Sequence, residues 1–257
     1  MFIPIGDAKI FATSFGPAGA PVIVGIGGWI GSWELWADPF SILSRSWRAI
    51  AYDHRGAGAT LAPVESITFH RLVEDVFAVL DAYNVENCVL AAESAGALTA
   101  FGAALEHPER ITGLVIVDGM YFRETPSEED LFLMGLRRSY SATLDRFVEA
   151  CVPEPDSHHI KRWGRQILDR ASQEAAIALY LSAGGVDLRS ELSRIAQPTL
   201  ILHGESDVIV PVDEARQLSK ILPNSKLSVL PGAGHVPTMT RPREIAHEIM
   251  NFFGSGA

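Results

Sequence analysis

The stretch Asn87-Cys88-Val89-Leu90-Ala91-Ala92-Glu93-Ser94-Ala95-Gly96-Ala97-Leu98-Thr99-Ala100-Phe101 decides how the chain is read. Asn87–Ala92, with its continuous apolar run Cys88–Ala92, predicts a buried strand. Ala95–Glu106 follows at once and predicts a helix, leaving only Glu93 and Ser94 for the turn between them. The window Cys88–Leu105 imitates a membrane span. Glu93 interrupts it and Gly96 and Gly102 break its uniformity, so the expectation is a buried strand running into a buried helix of a soluble protein.

Working outward, the same alternation repeats. Upstream, Phe2–Ile5 and Lys9–Thr13 flank Gly6-Asp7-Ala8 as an antiparallel hairpin, and Val22–Val24 is a strand that ends in a glycine-rich loop. A helix is expected from Trp33 to Leu43, a strand over Arg48–Tyr52, and a helix from Phe69 to Tyr83 with Thr68 as N-cap. Downstream, Ile111–Val117 is a strand. From Met120 to about Ser190 the strand signal stops, and three or four amphipathic helices are expected, broken near Pro153-Glu154-Pro155 and at Gly184-Gly185. Strand and helix then alternate again through Thr199–Leu202, Asp213–Ile221, Lys226–Leu230 and Arg243–Phe253. Short strands alternating with helices predict an α/β fold with a mostly parallel central sheet flanked by helices. The organisation expected is a core in two parts, residues 1–119 and 191–257, with a helical cap or lid inserted over 120–190.

Composition agrees with a globular chain. Of 257 residues, 47% are hydrophobic and 20% charged, which excludes the disordered and fibrous classes. Lys and Arg number 21 against 31 Asp and Glu, a net charge of −10, and this argues against binding nucleic acid through phosphate neutralisation. The N-terminus lacks a basic region followed by a long apolar run, so no signal peptide is expected. Cys88 and Cys151 are too few for a disulfide framework or a zinc site, and they read as buried thiols of a cytoplasmic protein.

Chemistry is written at three strand ends. Ala92-Glu93-Ser94-Ala95-Gly96 matches G-x-S-x-G except that Ala92 replaces the first glycine. Its small residues suit a sharp turn that projects the Ser94 hydroxyl away from the sheet. Leu202-His203-Gly204-Glu205-Ser206-Asp207 places a carboxylate after a later strand, and Pro231-Gly232-Ala233-Gly234-His235 places a histidine after the next. A serine hydroxyl is a weak nucleophile at neutral pH. It needs a base within hydrogen-bond reach, and the base needs an acid to fix its tautomer. Asp118, also following a strand, is the alternative acid. Glu93 is expected to bond nearby backbone, and His54 and Arg55 to be structural turn residues. His158-His159 are adjacent, hence on different helix faces, and do not suit a metal. Gly25-Ile26-Gly27-Gly28-Trp29-Ile30 fails as a dinucleotide fingerprint because Ile30 stands where the third glycine belongs.

With these motifs the sequence resembles the α/β-hydrolase superfamily over nearly its whole length. The order Ser94, Asp207, His235 is that family's order of triad members. Gly27-Gly28-Trp29 is similar to its His-Gly-aromatic oxyanion loop, with Gly27 in place of histidine. Tyr52-Asp53-His54-Arg55-Gly56-Ala57-Gly58 is similar to its Asp-x-Arg-Gly-x-Gly turn, and Gly232–His235 to its Gly-x-Gly-His motif. The short helical lid and Ser32-Trp33 resemble the lidded lactonases and esterases around 3-oxoadipate enol-lactonase.

The resemblance implies a serine hydrolase with Ser94 as nucleophile, His235 as base, Asp207 as orienting acid, and the Trp29 and Ala95 amides as oxyanion hole. No metal or other cofactor is called for. A small-molecule ester or lactone is the expected partner, with neither nucleic acid nor membrane. Trp33, Trp36, Tyr121, Phe122 and Met134 are expected to line an apolar pocket. A carbon–carbon bond hydrolase, a thioesterase, a perhydrolase, or a ligand sensor with vestigial turnover would carry the same triad, and these readings stay open.

Overall fold

Eight strands form a single sheet in the computed structural model, which describes residues 1–254. They are β1 (Phe2–Ile5), β2 (Ala8–Phe15), β3 (Val22–Ile26), β4 (Arg48–Asp53), β5 (Cys88–Glu93), β6 (Ile111–Val117), β7 (Thr199–Gly204) and β8 (Ser225–Leu230). Their order is β1-β2-β4-β3-β5-β6-β7-β8. β1 pairs antiparallel with β2 and β2 antiparallel with β4, while every pair from β4 to β8 is parallel.

The pleat divides the apolar residues between two cores. Val24, Ile26, Ile50, Tyr52, Leu90, Ala92, Leu114 and Ile116 face one core, where α2 (Phe69–Ala82), α3 (Gly96–Glu106) and α8 (Val212–Ile221) cover the sheet. Their sequence neighbours Ile23, Ala49, Ala51, Val89, Ala91, Val115 and Val117 face the other, under α1 (Ala37–Leu43) and α10 (Pro242–Phe253). A central parallel strand is apolar at every position for this reason. The Thr68 hydroxyl caps α2 by accepting from the Arg71 amide at 3.3 Å.

The helix expected over Trp33–Leu43 divides into a 3-10 turn at Trp33–Trp36 and α1. Pro39 carries no N–H with which to continue a helix begun at Trp33, and it sits in the first turn of α1, where none is needed. A short helix α9 (Pro237–Thr240), not anticipated from sequence, follows His235.

Between β6 and β7 the chain makes α4 (Leu131–Arg138), α5 (Tyr140–Cys151), α6 (His158–Leu168) and α7 (Gln173–Ser182). The two legs of this insertion are laced together. The Arg123 amide donates to the Val186 carbonyl at 2.7 Å, the Gly185 amide to Arg123 at 2.9 Å, and the Leu188 amide to Tyr121 at 3.1 Å. Its inner end is fastened by the Trp29 indole N–H, which donates to the Ala176 carbonyl at 2.8 Å. Among the described residues no helix is long and apolar enough to cross a membrane.

Candidate active site

Parallel strands send all their C-terminal ends to one edge of the sheet, and side chains just past those ends converge there. Ser94 follows β5 with φ of +52°, in the left-handed region that L residues seldom occupy. The fold holds it there. The Ser94 amide donates to the Val117 carbonyl at 2.9 Å, and its carbonyl accepts from Ala97 and Met120 at 3.1 and 3.2 Å. Gly28 passes so close that a Cβ on it would lie 2.9 Å from that of Ser94.

His235 comes from the loop after β8. Its Nε2 lies 2.9 Å from Ser94 Oγ and its Nδ1 2.7 Å from Asp207 Oδ2. Asp207, in the loop after β7, accepts two further bonds at Oδ1, from the amides of Ile209 (2.8 Å) and Val210 (3.0 Å). All three residues are buried, between 2% and 7% exposed. The His235 amide donates to the Cys151 carbonyl at 2.8 Å, so the end of α5 helps set the histidine loop. With Nδ1–H donating to Asp207, Nε2 is free to accept the serine proton.

Around this chain lies a second layer of buried polar groups. Asp118 follows β6 and accepts from the Gly204 amide at Oδ1 (2.7 Å), while its Oδ2 has no partner among the described residues. Burial, reinforced by the Asp207 charge, pushes its carboxyl well above the usual range. His203 stands between the two acids, 3.6 Å from Asp118 and 3.5 Å from Asp207, with Nε2 donating to the Val210 carbonyl at 2.8 Å. Burial lowers its pKa.

Asp118, His203 and Asp207 bring ligand-type atoms within 4.8 Å of one another, a grouping invisible in the sequence. Asp207 already accepts from two amides and His235, and the Nε2 of His203 is taken by Val210, which leaves Asp118 Oδ2 and His203 Nδ1 as the atoms of the group without a hydrogen bond among the described residues.

Glu93 departs from expectation. Rather than bonding backbone, both of its oxygens are buried without a partner among the described residues, and burial next to Asp207 raises its pKa to about 8. The Thr238 hydroxyl is near enough to bear on its ionisation, yet makes no well-formed bond with it. His54 and Arg55 lie at the turn after β4. His54 reaches the carbonyls of Gly28 and Arg55 (3.0 and 3.1 Å). Arg55 grips buried Asp75 through Nε and Nη2 at 2.7 and 3.0 Å.

The amides of Trp29 and Ala95 donate to no group among the described residues. Two cavities meet at Ser94. The narrower, about 60 Å³, runs under α5 and α6 and is lined by Leu35, Val148, Cys151, Ile167 and Met239 with Glu93. The wider, about 250 Å³, is bounded by Phe132, Phe147, Tyr180, Arg123, Val208 and Ile209. Trp29 borders both.

The expected pocket residues lie elsewhere. Trp36 is fully buried, its indole N–H donating to the Ile26 carbonyl at 3.0 Å and its ring packed on Phe40. Trp33 packs on Phe15. Tyr121 donates to Glu214 at 2.9 Å, and with Phe122 borders a shallower neighbouring cleft. Met134 is half-buried on α4, off the walls of both cavities. The lining residues that were missed come mostly from the helical insertion. The available signals were Val208-Ile209 directly after Asp207, and Arg123 as the one basic residue between Ile111 and Asp130.

The family described as the alpha/beta hydrolase fold matches residues 21–163 and 163–242. The chain belongs to this family and is a hydrolase of that fold. A protein of Caulobacter sp. (strain K31) named "Putative carbamate hydrolase RutD" is 25% identical over 244 residues, covering 88% of each chain. A hydrolase from Pseudomonas aeruginosa PA01 superposes with a TM-score of 0.91 at 23% identity, over 99% of this chain and 98% of that one. The enol-lactonase from Burkholderia xenovorans LB400 gives 0.91 at 20% identity, over 98% and 99%. At these identities the two structures share the fold.

Proposed function

We propose that the protein is a serine hydrolase that cleaves a carboxylic ester or lactone through an acyl-enzyme on Ser94. The observation that carries the reading is the hydrogen-bonded chain from Ser94 Oγ to His235 Nε2 (2.9 Å) and from His235 Nδ1 to Asp207 (2.7 Å). Ser94 Oγ attacks the carbonyl carbon as its proton passes to Nε2, and Asp207 stabilises the imidazolium. The oxyanion receives the Trp29 and Ala95 amides, each worth ~2.7–4 kcal/mol in such sites. The carbon–oxygen bond to the leaving group then breaks, with the Nε2 proton going to the departing oxygen. Water repeats the sequence on the acyl-enzyme, with His235 again the base. The insertion over 120–190 serves as a lid, since Phe132, Phe147 and Tyr180 on it wall the cavity at Ser94.

A second reading, the carbamate ester, is suggested by the name of the Caulobacter relative. The same attack on a carbamoyl carbon needs no other residue. Steady-state turnover of short- and medium-chain esters, lactones and N-alkyl carbamates tests both. Ester or lactone cleavage abolished in Ser94→Ala is expected. Preferential carbamate turnover moves the assignment to the second reading, and turnover of none of these by folded protein contradicts both.

A further inference from the structure

Among the described residues Arg123 is the only charged one on the wall of the wider cavity. Its guanidinium stacks on Tyr180, 4.0 Å from the ring centre, and its Nε is buried without a hydrogen-bond partner. Of the other arginines of the insertion, Arg137, Arg165, Arg170 and Arg189 are paired, with Glu128, Asp145, Glu34 and Asp187, while Arg138, Arg146 and Arg162, without an ion pair among the described residues, are exposed to solvent. Arg123 has no such ion pair among the described residues. Two carboxylates that share neighbouring clefts with it are engaged elsewhere. Asp130 accepts from the Tyr180 hydroxyl (2.9 and 3.0 Å) and caps α4 at the Leu133 amide (2.8 Å). Glu214 holds the Tyr121 hydroxyl.

The group is also held in place before any ligand arrives, by the backbone bonds to Val186 and Gly185 and by the stacking on Tyr180. A half-buried guanidinium with an unused buried donor, set among aromatic and aliphatic walls, is built for one planar anion taken through paired N–H donors. A single cation balances one carboxylate. A phosphate dianion would keep excess negative charge beside Glu124 and Asp130 on the outer cleft.

We infer that Arg123 docks a carboxylate carried by the substrate, so that the preferred substrates are acid-bearing esters such as the half-esters of dicarboxylic acids. This rests on the serine-hydrolase reading for the bond that is cleaved, and on the Arg123 environment for the group that is recognised.

The test compares the phenyl half-esters of glutaric, adipic and pimelic acids with phenyl pentanoate, hexanoate and heptanoate, which replace the carboxylate by methyl. At the best length the wild-type protein prefers the acid ester by about 10–100-fold in kcat/KM, carried by KM, as for other hydrogen bonds to charged groups. Arg123→Gln collapses that ratio. Arg123→Lys, which keeps the charge but loses the planar fork, leaves an intermediate ratio and shows that the position tolerates change. An unchanged ratio in Arg123→Gln, or a neutral preference at every length, overturns the inference. Turnover of neither series would instead sink the hydrolase reading. Calorimetry with 3-phenylpropanoate and 3-phenylpropanamide then decides the carboxylate site without turnover. Binding selective for the carboxylate and lost in Arg123→Gln supports it, and equal binding of the two compounds, or no binding, refutes it.

Discussion

Asp118 and Asp207 follow adjacent strands of the same sheet, are equally shut away from solvent, and flank the same His203, yet their surroundings differ in kind. Asp207 receives two backbone amides on one oxygen and His235 on the other, a full set of donors for an anion. Asp118 receives one amide, leaves an oxygen bare, and feels the charge of Asp207, so its carboxyl is driven toward the neutral form. Burial alone therefore does not make an orienting acid. What distinguishes the two is the number of donors supplied to each.

The largest effect expected from this contrast is on turnover. Asp207→Asn should lower kcat by roughly 10⁴, because the amide cannot hold His235 in the required tautomer. Asp118→Asn should lower it by less than about tenfold, since asparagine resembles the neutral acid already favoured there and still accepts from Gly204. A side-by-side kinetic comparison with the reverse ranking would transfer the orienting role to Asp118.

Glu93 sharpens the same comparison, as a third buried acid with no donors at all. Its pKa rises from 4.5 to about 8 on folding. Between those values the unfolded chain is ionised while the folded protein keeps its proton, so stability falls as pH climbs from about 4.5 to about 8 and levels beyond. Glu93→Gln removes that slope. Denaturant unfolding at pH 5 and pH 9 should show the variant gaining up to about 4 kcal/mol on the wild type across the interval. Parallel pH profiles would contradict the picture of a protonated, unpartnered Glu93. The smallest effect concerns Asp118, His203 and Asp207 as a group. Because Asp207 already accepts three hydrogen bonds and His203 Nε2 donates to Val210, EDTA should leave kcat/KM unchanged, and loss of activity restored by zinc would show the group to be a metal site.

Much of this was legible in the sequence because the informative residues sit where local pattern and chemistry coincide. The continuous apolar strands, the small residues around Ser94, and the polar residues just past β7 and β8 are each local signals, and the parallel sheet converts them into proximity. The cavity walls were not legible. Trp33 and Trp36 closely follow the Gly27-Gly28-Trp29 loop in sequence, yet Gly25 leaves β3 bare so that Trp36 and Phe40 press onto it. A Cβ there would lie 2.8 Å from Trp36 and 2.9 Å from Phe40. Apart from Trp29, the aromatics on the cavity walls at Ser94 ride on α4, α5 and α7, whose helical period shows which residues share a face but not whether that face meets core or cavity. The Asp118–His203–Asp207 grouping joins residues far apart in the chain through strand order, as does the Gly204 amide that donates to Asp118 across a separation of 86, and no local pattern encodes either.

The central claim is that Ser94, activated by His235, is the nucleophile. Treatment of the folded protein with a fluorophosphonate, followed by peptide mass spectrometry, tests it most directly. The expected result is one adduct, on Ser94, formed in step with loss of hydrolysis and nearly absent in His235→Ala. Full hydrolytic activity with Ser94 unmodified, or inactivation by an adduct on another residue, would contradict the account.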